Sequence, residues 1–354
     1  MAMVSGKGTV AMRIALKKIA LLAVAAVVLV TLFAVWQIQQ FLTSPIGRGK
    51  APLVAEIQAG SSAAKVAQQL HAAGLLDAPR SYVWYLRYQG LHGQLKTGEL
   101  LIDPQWTVAE LTEALIKGET VKYPATIVAG HTFAQLLSQL QALPKIKSVL
   151  SLQKLEEIYA KLNLPQPQQQ TYPFAGLEGW FLPETYLYQA GDSDLDVLKR
   201  ALSAMQKELE QAWAERAAGL PYKTAYDALI MASLVEKETG VAAERPLIAG
   251  VFINRLQKGM RLQTDPAVIY GIGSGYDGNI RKRDLLKTTP YNTYRVSGLP
   301  PTPIAMLSRE ALLAALHPQN TKALYFVATG NGEHVFSETL EAHNRAVRQY
   351  QLKR

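Results

Sequence analysis

The sequence predicts an α+β protein: a single N-terminal transmembrane helix, then a small subdomain of short strands and helices, then a larger mixed domain of helices and strands. Three observations carry this reading. An apolar run of 18 residues, Ile19 to Trp36, is broken only by Thr31. After it, amphipathic helical stretches alternate with short strand-like runs bounded by Gly and Pro. The chain has 354 residues, of which 49% are hydrophobic, enough for two folded units at roughly 100 to 200 residues each.

The apolar run sits at the short end of what crosses a bilayer, and Lys17 and Lys18 lengthen it by snorkelling. We therefore expect a cytoplasmic segment over residues 1–18, a transmembrane helix over 19–41 and a linker over 42–50, rich in Pro and Gly. A cleaved signal peptide is the competing reading, but the run is longer than the usual signal core and no small-x-small site directly follows Trp36. Lys7, Arg13, Lys17 and Lys18 precede the span and only Arg48 and Lys50 follow it closely. That asymmetry predicts a cytoplasmic N-terminus with the remainder of the chain outside.

Charge and composition exclude several function classes. The net charge is +9, of which the first 50 residues, with no acid, supply +6. The folded part thus carries no strong basic excess, which argues against nucleic acid as a partner. With no cysteine, thiolate nucleophiles, disulfides and Cys-containing zinc sites are absent. The six histidines (His71, His92, His131, His317, His334, His343) form no His-Glu-x-x-His pattern. The four glycines between Gly271 and Gly278 lack both the Lys-Ser/Thr ending of a phosphate loop and Gly-x-Gly-x-x-Gly spacing. No metal and no cofactor is expected.

In the small unit, residues 51–125, Leu53 to Ile57 and Gly98 to Ile102 read as strands. Helices are expected from Ala63 to Ala73, after Pro79, and from Thr107, which forms a capping box with Glu110. In the larger unit, residues 126–352, a helical region is expected over 132–163. A long amphipathic helix capped at Asp192-Ser193 should run to about Ala218, and another over about Ala243 to Lys258. Asn331-Gly332 marks a hairpin turn and a final helix runs from Glu338.

Between these lies Thr224 to Thr239, an apolar helix with Thr224 and Asp227 as its capping box. Leu229, Ala232, Ser233 and Glu236 recur at spacings of three and four, which puts Glu236 on or near the core-facing side. A carboxylate there either does chemistry or marks the solvated helix end shared with Lys237 and Glu238. Phe174 to Tyr186 mixes Glu178 and Glu184 with Trp180, Phe181 and Tyr186. Rings and carboxylates together suit a carbohydrate groove, and turn chemistry with core aromatics explains them equally well. Asp265 before Pro266 reads as a helix start. Residues 289–303 gather amide, hydroxyl and phenol groups in irregular backbone, useful for a hydroxylated ligand.

Seven strings in one order then make the chain familiar. Leu-Glu-Gly-Trp-Phe-Leu-Pro-Glu-Thr-Tyr (177–186), Ala-Ser-Leu-Val-Glu-Lys-Glu (232–238), Val-Phe-Ile-Asn-Arg (251–255), Leu-Gln-Thr-Asp-Pro (262–266), Tyr-Asn-Thr-Tyr (291–294), Gly-Leu-Pro-Pro (298–301) and His343-Asn344 occur in sequence. The chain closely resembles the membrane-anchored endolytic murein transglycosylases, the YceG-like family, over essentially its whole length. The resemblance implies a LysM-like unit over residues 51–125 and a catalytic domain over 126–352. It implies Glu236, rather than Glu238, as the catalytic acid. Glu178, Trp180, Glu184, Tyr186, Gln263, Asp265, Tyr291, Asn292, Thr293 and Tyr294 are expected to bind saccharide or support the site. Glu184 stands where many members have Asp.

The implied activity is lytic cleavage of the bond between N-acetylmuramic acid and N-acetylglucosamine in peptidoglycan, leaving 1,6-anhydro ends. One carboxyl group suffices, because the sugar's own C6 hydroxyl replaces water. An acid that is neutral near pH 7 needs a raised pKa, for which the run Leu229 to Val235 offers an apolar wall. The resemblance further implies a bacterial inner-membrane location with the folded part outside, glycan strands as substrate and peptidoglycan polymerases as partners. The alternatives are a non-catalytic peptidoglycan-binding membrane protein and a water-using muramidase.

Overall fold

The computed structural model describes residues 6–47, 51–58, 60–165 and 176–352. The chain divides into two compact units, Met1–Val121 and Lys122–Arg354, against an expected boundary at residues 125–126.

The first unit opens with helix α1, Gly6–Thr43. Its stretch Leu16–Thr43 has 28 residues and contains an 18-residue window with a mean hydropathy of 2.8, none of it buried within the chain. At 1.5 Å per residue such a stretch is about 42 Å long, more than the roughly 30 Å hydrocarbon layer. This is a helix of the length and composition of a single membrane-spanning segment. Strand β1 (Leu53–Ile57), α2 (Ala63–Ala72), α3 (Pro79–Tyr88), β2 (Gly98–Ile102) and α4 (Val108–Lys117) follow. β1 and β2 pair antiparallel, Leu53 opposite Ile102 and Ile57 opposite Gly98. The expected Thr107–Glu110 capping box forms: Glu110 donates its backbone N–H to Thr107 Oγ1 at 3.3 Å, and Glu110 Oε2 accepts from the Thr107 N–H at 2.8 Å.

The second unit comprises β3 (Tyr123–Thr126), α5 (Phe133–Gln141), α6 (Leu155–Leu162), β4 (Thr185–Tyr188), α7 (Asp194–Ala214), α8 (Ala225–Glu238), α9 (Arg245–Gln257), α10 (Asp265–Ile272), α11 (Lys282–Leu286), α12 (Arg309–Leu316), β5 (Tyr325–Ala328), β6 (His334–Ser337) and α13 (Leu340–Tyr350). β3 pairs antiparallel with β4, and β5 with β6. Two apolar cores share this unit. One lies among α5, α6, β4 and the first half of α7; the other joins the rest of α7 to α8, α9 and α12. α8 is the axis of the second core, with every residue from Ala228 to Val235 buried. Such a helix, apolar all round, belongs inside a domain. Asp227 fixes its start by accepting the N–H groups of Lys223 and Thr224 at 2.6 and 3.1 Å.

Three expectations are corrected. Residues 132–163 are two helices, not one helical region. Pro144 stops α5, and the segment between is pinned by the buried Asp194 carboxylate, which accepts from Val149 N and Leu150 N at 3.1 and 3.3 Å. α7 ends at Ala214, before Gly219 and Pro221, and α9 begins at Arg245, with Pro246 in its first turn. Gly250 lets α9 pack closely: a Cβ there would stand 2.5 Å from the Gln319 carbonyl oxygen.

Candidate active site

The two glutamates at the end of α8 have different surroundings. The Glu236 side chain is 8% exposed, with the Arg245 guanidinium 3.8 Å from Oε1. Its Oε2 accepts the backbone N–H of Ser308 at 3.0 Å and also the Ser308 hydroxyl. Ser308 is the N-cap of α12, accepting from Ala311 N at 3.2 Å. Glu236 therefore sits at a helix N-terminus, where a carboxylate is favoured, and clasps α8 to α12 and to the start of α9. The apolar run Leu229 to Val235 covers the core, but the Glu236 carboxylate itself meets polar groups, which corrects the expected apolar wall.

Glu238 faces elsewhere. Two residues along a helix turns a side chain by about 200°, and Glu238 lines a cleft of about 530 Å³. Arg255, Gln263, Asp265 and Tyr294 line it as well. The opposite wall is β5, His334 and the face of α13 carrying His343 and Asn344. Glu236 is not among the residues of this cleft.

Local structure positions each of these groups. Arg255, only 7% exposed, donates to the carbonyls of Leu324 at 2.6 Å and Leu262 at 2.8 Å and to Gln263 Oε1 at 3.2 Å. Its guanidinium lies 5.1 Å over the Tyr325 ring, and the His343 ring stacks with that of Tyr325 at 5.1 Å. Gln263 holds a left-handed backbone with φ of 53°, uncommon for a residue with a Cβ and typical of strained functional loops. Arg255 on its side chain and Thr293 O, which accepts its N–H at 3.1 Å, keep it there. Tyr294 donates its hydroxyl to Asp265 Oδ1 at 2.7 Å. The Asp265 carboxylate thus accepts from Tyr294, where the sequence left a helix-start role and support of the site as alternatives.

The residues before Tyr294 are scaffold. Tyr291 pairs its hydroxyl with Thr302 at 2.7 Å, and Asn292 donates to the carbonyls of Asp284 and Lys287 at 3.0 and 2.6 Å. Thr293 accepts from Thr264 N at 2.9 Å and donates to Thr264 O at 3.1 Å. All three are buried and none lines the cleft.

Burial pushes the Glu238 carboxyl up to about 7; the Thr264 hydroxyl opposes this, the Asp265 charge adds to it, and Arg255 opposes it more weakly. Burial, followed by the Arg255 charge, lowers His343 below its ordinary value and so favours the neutral imidazole. Burial also draws the Arg255 guanidinium below its usual value. The cleft therefore holds a carboxyl that is protonated in part at neutral pH, beside a tyrosine, a second carboxylate and a guanidinium. Such a group can give a proton and take it back. Among the described residues no three His, Cys, Asp or Glu are grouped to hold a metal ion.

The aromatic stretch expected to face the acid lies elsewhere, which is a further correction. Glu178 is fully buried, accepts the Phe133 N–H at 3.3 Å, and is pushed up to about 8 by burial. Trp180 stacks on Tyr226 at 5.6 Å and packs against both cores. Glu184 is exposed, 3.8 Å from Arg309, and the Tyr186 hydroxyl donates to Leu182 O at 2.8 Å. This stretch is a wedge between the two cores; residues 174 and 175, also assigned to the groove, lie outside the described residues. Sequence reasoning named Gln263, Asp265 and Tyr294 for the site, and the cleft brings them together. It set Glu238 aside in favour of Glu236, and it did not name Arg255, His334 or His343 for the site. Arg255 and His343 already stood in the shared strings.

Comparison with known proteins gives the class. Residues 55–349 match the YceG-like family. The chain is similar to the endolytic murein transglycosylase of Bacillus subtilis (strain 168), at 31% identity over 87% of this chain and 88% of the relative. It is also similar to that of Streptococcus pneumoniae (strain D39), at 28% identity, covering 83% of this chain and 57% of that longer relative. A crystal structure of a yceG-like protein from Listeria monocytogenes superposes with a TM-score of 0.50 at 28% identity, covering 84% of this chain and 99% of that one. The chain belongs to the YceG-like, endolytic murein transglycosylase family.

Proposed function

We propose that the protein is a membrane-anchored lytic transglycosylase that cuts within peptidoglycan glycan strands, and that Glu238 is its acid and base. The observation that carries this is one carboxyl group, pushed up to about 7, lining the cleft that Gln263, Asp265 and Tyr294 also line. Glu238 protonates the glycosidic oxygen as the bond to C1 of N-acetylmuramic acid breaks. The resulting carboxylate then takes the proton of the C6 hydroxyl as that oxygen bonds to C1, giving the 1,6-anhydro ring and restoring the acid. No water enters, so one carboxyl closes the cycle. Tyr294, fixed by Asp265, and Gln263, fixed by Arg255, offer hydrogen bonds to sugar hydroxyl and acetamido groups.

The basic flank before the apolar helix supports a cytoplasmic N-terminus and a cleft on the outer side, where new glycan is polymerised; glycan polymerases are the partners this location suits. The β-α-α-β order of residues 53–102 supports a LysM-like, glycan-holding role for the first unit. Mass spectrometry of uncrosslinked glycan incubated with the protein tests the proposal. New anhydro ends that vanish with Glu238→Gln and persist with Glu236→Gln are expected. Reducing ends would indicate a muramidase, and unchanged strands a binding protein.

A further inference from the structure

We propose that the outer face of α3 is a membrane-surface contact, which seats the first unit on the anionic headgroups of the bilayer that α1 crosses. The inference rests on the membrane-anchored reading given above and extends it from a tether to a docked surface.

The first argument is that α1 ends inside the first unit. Phe41 packs against that unit's core and Ile46 is 6% exposed within it. Ile46 N–H donates to Trp106 O and Gly47 N–H to Pro104 O, both at 2.9 Å. At Gly47 a Cβ would come 2.9 Å from Pro104 Cβ, so the backbone is in close contact there. The link between helix and unit is therefore packed. The 28 residues of Leu16–Thr43 exceed the roughly 20 that fill the hydrocarbon by about 8, or about 12 Å of helix. Shared between the two sides, that excess ends within the headgroup layers. A unit whose core includes Phe41 and Ile46 thus lies against the headgroups.

The second argument is the chemistry of α3. Trp84 and Tyr88 are 70% and 77% exposed, with their rings stacked 6.0 Å apart and 6° from parallel. Arg80 and Ser81 precede Trp84 by four and three positions, and Arg87 follows it by three, all exposed; these spacings put them beside Trp84. The helix carries two arginines and no acid. Exposed Trp and Tyr with flanking arginines is the pattern of a membrane interface, where ring edges meet headgroups and guanidiniums meet lipid phosphate. Sugars also lie on aromatic rings, but a saccharide surface supplies acceptors as well as donors. Here the rings are flanked by two guanidiniums, which have only donors, and by the Ser81 and Tyr88 hydroxyls, while α3 brings no carboxylate and no side-chain amide.

The chain contains no cysteine, so one introduced thiol gives a unique label. Full-length protein carrying a nitroxide at Ser81→Cys, or separately at Val28→Cys, is placed in nanodiscs of phosphatidylglycerol and phosphatidylcholine, or of phosphatidylcholine alone. We expect the Val28 label at hydrocarbon depth in both. We expect the Ser81 label to be protected from a water-soluble relaxing agent by roughly threefold or more in anionic discs. That protection should be lost in Arg80→Glu/Arg87→Glu and in Trp84→Ser/Tyr88→Ser. A Ser81 label as accessible in anionic discs as in detergent, with Val28 still buried, would overturn the inference and leave the anchor standing. Protection that arises only when uncrosslinked glycan is added would overturn it in favour of a glycan surface. A water-exposed Val28 label would overturn both.

Discussion

Glu236 and Glu238 differ by two positions, and the assignment of the reacting group turns on which way each faces. Spacing along the helix ties Glu236 to Leu229 and Ala232 and is silent on what stands opposite. Ser308, from a distant segment, and Arg245, at the start of α9, take Glu236, while Arg255, Asp265 and His343 gather around the cleft that Glu238 lines. Those partners converge only in the folded chain, so the site's strings were legible in the sequence and the grounds for proposing Glu238 as the acid were not. Glu238→Gln should lower anhydro-product turnover by about 10²-fold or more without altering the far-ultraviolet dichroism. Glu236→Gln should retain the chemistry and weaken the α8–α12 clasp, costing about 1 to 3 kcal/mol in urea unfolding. Tyr294→Phe leaves Asp265 without its phenol donor and should reduce kcat more than stability. Glu178 gives a separate pH signature. Its folded pKa of about 8 is above its ordinary 4.5, so its contribution to stability is full below about 4.5 and is lost as pH rises to about 8. Glu178→Gln should flatten unfolding free energy across that window, and an unchanged slope would place its proton elsewhere.

Among the elements, those with local signals were legible and those set by distant contacts were not. Capping boxes at Thr107 and Ser193, the apolar α8 and the stop of α9 near Gly259 all follow from short-range chemistry. Pro144 marks the end of α5 locally, but the course of the segment from there to α6 depends on Asp194, which reaches back across more than 40 residues to the N–H groups of Val149 and Leu150. Asp194→Ala would leave the buried Leu150 N–H and the part-buried Val149 N–H unpaired, so a loss of about 1 to 3 kcal/mol in denaturant unfolding is expected. A neutral result would mean that water replaces the carboxylate. The segment 177–186 was ambiguous because rings and carboxylates serve both sugars and cores; burial of Glu178 and the Trp180–Tyr226 stack decide for the core.

For the molecule as a whole, two compact units with separate cores imply two thermal transitions. A chain beginning after Thr43 loses Phe41 from the first core and should lower only the first transition, read by calorimetry, while turnover on short soluble glycan is retained. The hydropathy of the N-terminus and the family were legible in the sequence because they rest on composition and on ordered strings. The central claim, that Glu238 carries the reacting proton, is tested most directly by infrared titration of carboxyl C=O absorption in wild type minus Glu238→Gln. A protonated-carboxyl band disappearing with a midpoint near 7 is the result predicted. A difference spectrum with no such titration, or one reproduced instead by wild type minus Glu236→Gln, would contradict it.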